Sequence, residues 1–427
     1  MSEAAPRPWF GQPRGLTILF LTNMWEQFSY FGMRALLVYY MTKELLLSQG
    51  QSSFIYGAYT ACAYFTPIVG GVIADRLLGK RRAVIIGASI MALGHFMMAF
   101  EPLFYPALAT IALGNGLFLP SLPSQINDLY AAGDPRRGWA YNVYYVGINI
   151  GGFLAPLVCG TLGEFYGWHY GFGAAGVGML AGLLIYLAGQ KYLPPEAPRM
   201  PTAELPATRW ADHRRTFAAL LAIALSVTVF RGAYEQVGNT VALWADTGVD
   251  RLAGGFTIPM TWFQSLNPLL VMLMTPALLA YWRRRADAGR DTSPARRMAI
   301  GALVVAGAYL LLSLVAGFTG EARAGWLWLG LFFLIFTFGE LLILPTGLGL
   351  FARLAPPRLG ATTVAAWYLA IFTGSLSAGL VGTLWSDMTP ASFFGLLALI
   401  AAVAALLLRS LDRMVRSVDR AWPSESV

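Results

Sequence analysis

This chain predicts an all-α membrane protein: twelve transmembrane helices in two pseudo-symmetric six-helix bundles. Three observations predict it. Charge is scarce, with 30 basic and 22 acidic residues making 12% of 427, where a soluble globular protein carries roughly 25%. Apolar stretches near the ~20 residues that a bilayer demands recur along the whole chain. The basic residues gather on one side of those stretches. A hydrophobic content of 57% excludes a disordered chain, and two cysteines, Cys62 and Cys159, both in apolar runs, exclude a disulfide framework.

The first six stretches run near Leu16–Met41, Ser53–Ala74, Ala83–Phe100, Leu103–Leu129, Trp139–Gly163 and Trp168–Tyr192. A linker, 193–215, follows, charged and rich in proline (Pro194, Pro195, Pro198, Pro201, Pro206). The second six run near Thr216–Trp244, Gly254–Trp282, Met298–Gly317, Ala324–Arg353, Gly360–Trp385 and Ala391–Leu411. The expected organisation is therefore a bundle over 1–192, a cytoplasmic linker over 193–215, a bundle over 216–411 and a cytoplasmic tail over 412–427.

With the N-terminus cytoplasmic, 25 of the 30 basic residues lie inside. Only Lys43, Arg251 and Arg323 fall outside, and Arg34 and Arg231 lie within spans. The asymmetry predicts an even number of spans with both termini inside. It also assigns the net charge of +8 to topology rather than to nucleic acid. No cleavable signal is expected, because Met1–Arg14 has no apolar core. Trp139, Trp168, Trp244, Trp282, Trp326 and Trp385 near span ends read as interfacial anchors.

Five charges sit well inside spans: Glu26 and Arg34 in the first, Arg231 and Glu235 in the seventh, Glu340 in the tenth. Charge at that depth is costly and marks a functional site by default. Glu26 and Arg34, eight residues apart, share a helix face, and so do Arg231 and Glu235, four apart, which can pair directly. The plainer reading is that these charges only pair with one another. Glycines and prolines within spans (Pro67, Pro120, Pro123, Pro156, Pro268, Pro345) permit close helix contact and bending, and by themselves read as packing. Two equivalent halves with polar residues at mid-depth suggest alternating access around a central site. His95 reads as a packed core histidine before a proton relay. No metal-ligand spacing, phosphate-cradling loop or nucleophile–base constellation is visible, so no cofactor and no enzyme activity are expected.

Two stretches make the chain recognisable. Gly71–Arg82 resembles the loop signature of the major facilitator superfamily, in which an Asp, here Asp75, pairs with basic residues and helix ends to hold one conformation. The longer run Gly70–Gly94 (GGVIADRLLGKRRAVIIGASIMALG) resembles the first signature of the proton-dependent oligopeptide transporter family, and Tyr141–Phe153 (YNVYYVGINIGGF) resembles the second. Further likeness lies in Phe28–Met41, Phe263–Leu270 and Gly339–Leu348.

The resemblance implies the major facilitator fold. It also implies an inner-membrane secondary transporter for di- or tripeptides or peptide-like compounds, working by alternating access and coupled to protons through an altered motif, functioning as a monomer. By position, Arg34 matches the arginine that meets the peptide carboxylate, and Glu340 the glutamate that faces its amino group. Asn149 and Asn267 match peptide-binding asparagines, while Tyr30, Tyr64 and Trp367 match aromatic pocket positions. Glu235 and Gln236 match the acidic seventh-span site, whose glutamate pairs in the family with the arginine matched by Arg34. A guanidinium suits bidentate contact with a carboxylate. The implied arrangement is a clamp for a zwitterion, with Glu26, Arg231, Glu235 and Asp75 in coupling or gating.

The chain also departs from the pattern. The family's first-span motif Glu-x-x-Glu-Arg-Phe here reads Asn23-Met24-Trp25-Glu26-Gln27-Phe28, and its fourth-span lysine aligns with Leu119. Phe31 and Leu344 replace a tyrosine and a serine. Arg231 is a gain where relatives carry an aromatic; it is expected either to restore lost positive charge, pairing with Glu26, Glu235 or Glu340, or to form only a local pair with Glu235. The linker is too short for the two extra helices of bacterial relatives. The alternatives are transport of another small zwitterion or anion, proton-uncoupled facilitation, a membrane-embedded enzyme and a sensor. The last two lack a visible catalytic pair and an output domain.

Overall fold

The computed structural model describes residues 11–131, 134, 136–195, 214–290, 292–355 and 360–421. Most of the predicted linker and the end of the tail, 196–213 and 422–427, lie outside the described residues.

The helices in order are α1 (Arg14–Lys43), α2 (Gln49–Ile73), α3 (Lys80–Met97), α4 (Phe104–Ser124), α5 (Arg136–Ala155), α6 (Thr161–Tyr166) and α7 (Trp168–Gly189). Then come α8 (Arg214–Tyr234), α9 (Thr240–Thr247), α10 (Trp262–Asp287), α11 (Pro294–Thr319), α12 (Trp326–Arg353), α13 (Gly360–Gly382), α14 (Pro390–Ser410) and α15 (Asp412–Ala421). α5 runs into α6 through a wide turn at Pro156–Gly160, where a proline cannot supply the helical N–H. α8 passes to α9 through a tight turn at Glu235–Gly238. With each of these pairs counted as one crossing, and α15 too short to cross, the helices match the twelve predicted spans in order.

Among the described residues, ten helical stretches are long and apolar enough to cross a membrane. α1 and α3 are not among them, and their sequences explain why. α1 carries Asn23, Glu26, Gln27 and Arg34, and α3 opens on Lys80-Arg81-Arg82. The eighth span begins at Trp262 rather than Gly254. Gly254 and Gly255 adopt φ of 57° and 89°, and turn β2 (Leu252–Ala253) back on β3 (Phe256–Thr257). A second two-residue pair joins β1 (Val249–Asp250) to β4 (Ala324–Gly325) in parallel. These short pairs are the strand structure among the described residues.

The chain divides into two compact units, Met1–Tyr40 with Cys62–Arg199, and Met41–Ala61 with Met200–Val427. In the first unit, Leu16, Val84, Met91, Phe118 and Tyr186 belong to one buried cluster, and the Tyr186 hydroxyl donates to Gln125 Oε1 at 2.8 Å. α3 and α4 meet backbone to backbone: a Cβ on Gly87 would stand 2.7 Å from the Gly114 carbonyl oxygen, and the converse distance is equal. Small residues at such contacts let membrane helices approach closely.

In the second unit α11 and α12 meet in the same way. A Cβ on Gly301 would lie 2.5 Å from Gly339 O, and one on Gly339 2.7 Å from Gly301 O. The segment Met41–Ala61 is tied into this unit at several points. Lys43 Nζ meets Asp246 at 2.6 Å. Gln49 donates to Gly382 O at 3.0 Å, and Ser53 donates to Asn239 Oδ1 at 3.0 Å. One turn on from Ser53, a Cβ on Gly57 would fall 2.4 Å from the Gly379 Cα, so α2 and α13 touch at their main chains.

Candidate functional site

In the first unit the predicted residues lie on α1, α2 and α5. Glu26 and Tyr30 are buried and Arg34 is half-buried along α1. Gln27 Nε2 donates to Glu26 Oε2 at 2.8 Å, so the residue that replaced the family's arginine supplies a neutral hydrogen bond where a charge pair is expected. Asn23 is also buried, and donates to Tyr144 O at 3.2 Å rather than offering a carboxylate. The Tyr30 ring meets Phe31 edge-on at 5.5 Å. Tyr64 is half-buried on α2. Asn149 is buried on α5, where its amide donates to Tyr145 O at 2.9 Å within the helix. Leu119, at the lysine position, is half-buried on α4 and carries no donor. Asp75 is exposed in the turn Ala74–Leu78 that ends α2. Beyond that turn, Lys80 pairs with Asp128 at 2.8 Å and Arg81 donates to Leu193 O at 2.8 Å.

In the second unit two helices deliver side chains to Glu340 of α12. Tyr234 from α8 donates its hydroxyl to Glu340 Oε1 at 2.7 Å. Asn267 from α10 donates to Glu340 Oε2 at 2.5 Å, and to Thr337 Oγ1 at 3.1 Å. Both carboxylate oxygens are thus held, and their direction is fixed. Charge-assisted hydrogen bonds of this kind are the strong ones.

A second polar centre adjoins it. Arg231 at the end of α8 and Glu235 at the start of the following turn, each 2% exposed, form an ion pair. The same guanidinium donates to Ser375 Oγ of α13 at 3.0 Å, and Ser375 donates to Glu235 Oε1 at 3.4 Å. The stem of Arg231 fits because Gly374 faces it, where a Cβ would lie 2.5 Å from the Arg231 Cβ. Of the partners expected for Arg231, the structure supplies Glu235. Tyr234 joins the two centres: its ring lies under the Arg231 guanidinium, 5.0 Å from ring centroid to Cζ, while its hydroxyl serves Glu340.

Gln236 is also buried, donating to Ala378 O at 2.8 Å and accepting from Thr240 Oγ1 at 3.0 Å. It braces the turn between α8 and α9. Trp367 packs on Phe351 with ring centroids 5.2 Å apart, and its six-membered ring fills the space that a Cβ on Gly347 would need. Tyr234, Thr337 and Ser375 carry polar roles that the sequence reading did not assign. Tyr234 had a signal in its spacing, three residues after Arg231; the other two become visible only once α12 and α13 are placed beside α8. Among the described residues no group of three or more His, Cys, Asp or Glu could hold a metal ion.

A nearly all-helical chain of this order, with buried charge held inside apolar helices, defines a multi-pass membrane transporter of the major facilitator type. The POT family profile matches residues 81–203 and 201–396. The chain belongs to the POT family. It is 31% identical to "Uncharacterized transporter YclF" of Bacillus subtilis, covering 96% of this chain and 95% of the relative. That alignment runs over 470 positions, more than the chain's 427 residues, so the relative carries segments that this chain lacks. It is 31% identical to "Di-/tripeptide transporter" of Lactococcus lactis subsp. cremoris, over 94% of this chain and 95% of the relative. Among solved structures, "Crystal structure of peptide transporter POT in complex with sulfate" superposes with a TM-score of 0.90 at 28% identity, over 96% of this chain and 97% of that one.

Proposed function

We propose that this protein moves di- or tripeptides, or peptide-like compounds, across the bacterial inner membrane by alternating access, with both termini cytoplasmic. The observation that carries the reading is the held carboxylate of Glu340, presented by Tyr234 and Asn267. A carboxylate fixed in this way suits an amino group, and the half-buried guanidinium of Arg34 suits a carboxylate. A peptide zwitterion carries both of these groups. Tyr30, Tyr64, Asn149, Asn267 and Trp367 complete the substrate-binding set in this proposal. The reading takes the chain as a monomeric transporter without enzyme activity or cofactor. The names of its relatives, "Di-/tripeptide transporter" and "Peptide transporter YePEPT", support the substrate class.

Proton coupling would fall to Glu26, Glu235 and Glu340, with Arg231 and Asp75 in coupling or gating. A second reading, facilitation without protons, is favoured by two observations. Asn23, Gln27 and Leu119 remove charges that the family pattern carries, and Arg231 occupies Glu235 four residues along the same chain segment.

Uptake of labelled dialanine into proteoliposomes, with and without an inward proton gradient, decides between them. Gradient-stimulated accumulation is expected, and gradient-independent exchange would instead select facilitation. Arg34→Ala and Glu340→Gln should each remove most uptake. Absence of uptake by folded parent protein in both conditions would sink the peptide reading.

A further inference from the structure

Along one flank of the second unit, α8 and α13 part to leave an apolar cleft of about 420 Å3. Leu220, Phe351 and Ala370 are buried at its floor, while Leu221, Leu225 and Leu369 line it at 62%, 60% and 45% exposure. The cleft follows α8 from Phe217 to Thr228. At 1.5 Å per residue that is about 17 Å, close to the ~15 Å hydrocarbon depth of one leaflet. Its inner end is closed by Thr228 and Thr373, whose hydroxyls meet at 3.1 Å, with Thr228 also placed 3.2 Å from Ala370 O. The Thr228 and Thr373 hydroxyls are satisfied within the protein; the Thr363 hydroxyl, also on the lining, is buried and makes no hydrogen bond to the described residues, and the rest of the cleft offers an occupant apolar contact.

The other end is charged. Arg214 and Arg215, both exposed, open α8 just before Phe217, and Arg214 lies three residues from it on the same helix face. α12 ends on Arg353, also exposed, two residues after Phe351. An apolar slot one leaflet deep with guanidinium groups at its mouth complements a molecule with a long hydrocarbon tail and an anionic head.

We propose that the α8–α13 cleft binds an anionic phospholipid, one acyl chain lying between the helices and the phosphate meeting Arg214 and Arg215. The bound chain reaches the edge of the polar centre. Past Thr228, Gly374 stands against both the Thr228 carbonyl and the Arg231 stem, so a filled cleft supports the contact that seats the Arg231–Glu235 pair.

Native mass spectrometry of the detergent-purified full chain, mixed with dioleoyl phosphatidylglycerol or dioleoyl phosphatidylcholine, tests this. The parent should retain one phosphatidylglycerol with about a tenfold preference over phosphatidylcholine, since each nearby basic residue contributes modestly to anionic-lipid affinity. Leu221→Trp, which fills the cleft, should lose that lipid, and so should Arg214→Gln with Arg215→Gln. Leu303→Trp, at an equally exposed position on α11, should keep it. The substituted sites are all exposed, so parental melting temperatures are expected throughout. Equal retention of the two lipids by the parent would overturn the proposal. So would parental retention by the cleft-filling or arginine variants, or loss from Leu303→Trp.

Discussion

Tyr234 is the residue on which the polar interior of the second unit turns. Its ring takes the Arg231 guanidinium and its hydroxyl takes Glu340. Tyr234→Phe keeps the ring and deletes one bond to a carboxylate, worth about 1.5–3 kcal/mol. Because that bond is made within the folded protein, the melting temperature should fall modestly, and with Glu340 Oε1 no longer held the apparent affinity for dialanine should fall by about tenfold; unchanged affinity would remove Tyr234 from the site. Arg231 behaves differently because its partner is buried with it. Arg231→Ala strands the Glu235 carboxylate and should cost about 3–5 kcal/mol, whereas Arg231→Met combined with Glu235→Leu should recover most of that loss. Thermal unfolding in detergent reads the difference. If Arg231→Ala also transports like the parent, Arg231 has no part in coupling. The Arg231–Glu235 pair was legible in the sequence, because a four-residue spacing on a helix puts two side chains side by side. Tyr234 was not assigned a role, because an aromatic on an apolar helix is ordinary until the register of α12 brings Glu340 opposite.

At the scale of elements, the sequence predicted the spans in order and missed where helices break. Periodic apolarity continues through Pro156, through Glu235–Gly238 and into Gly254-Gly255, so a hydropathy argument sees no interruption. The breaks come from a missing N–H, from a turn braced by Gln236, and from two glycines at positive φ. The segment Met41–Ala61 gives the sharpest element-scale test. Ser53 touches Asn239, and Gly57, one turn further, lies against Gly379. Cysteines introduced as Ser53→Cys and Asn239→Cys should cross-link on mild oxidation. Adding Gly57→Val should abolish the cross-link, since no Cβ fits 2.4 Å from another main chain. Cross-linking at the parental rate in the triple variant would show that this contact does not form in the membrane.

At the scale of the whole molecule, membrane class was legible from composition, and the expected topology rests on where 25 of 30 basic residues fall. Family and substrate class rest on short motifs that composition could not supply. The departures among them, at Asn23, Gln27 and Leu119, make proton coupling the property to measure first. The sequence could not show how the helices are held at mid-depth. In each unit the third and fourth spans meet at a glycine pair, Gly87 with Gly114 and Gly301 with Gly339, and the next residue is polar: Asn115 in one, Glu340 in the other. Two backbones that touch cannot slide along each other like pistons without breaking that seat. What remains open to α12 is a pivot, with Gly339 as the fulcrum. Glu340 then sits at the short arm of a lever, where it moves least while the far end of the helix swings.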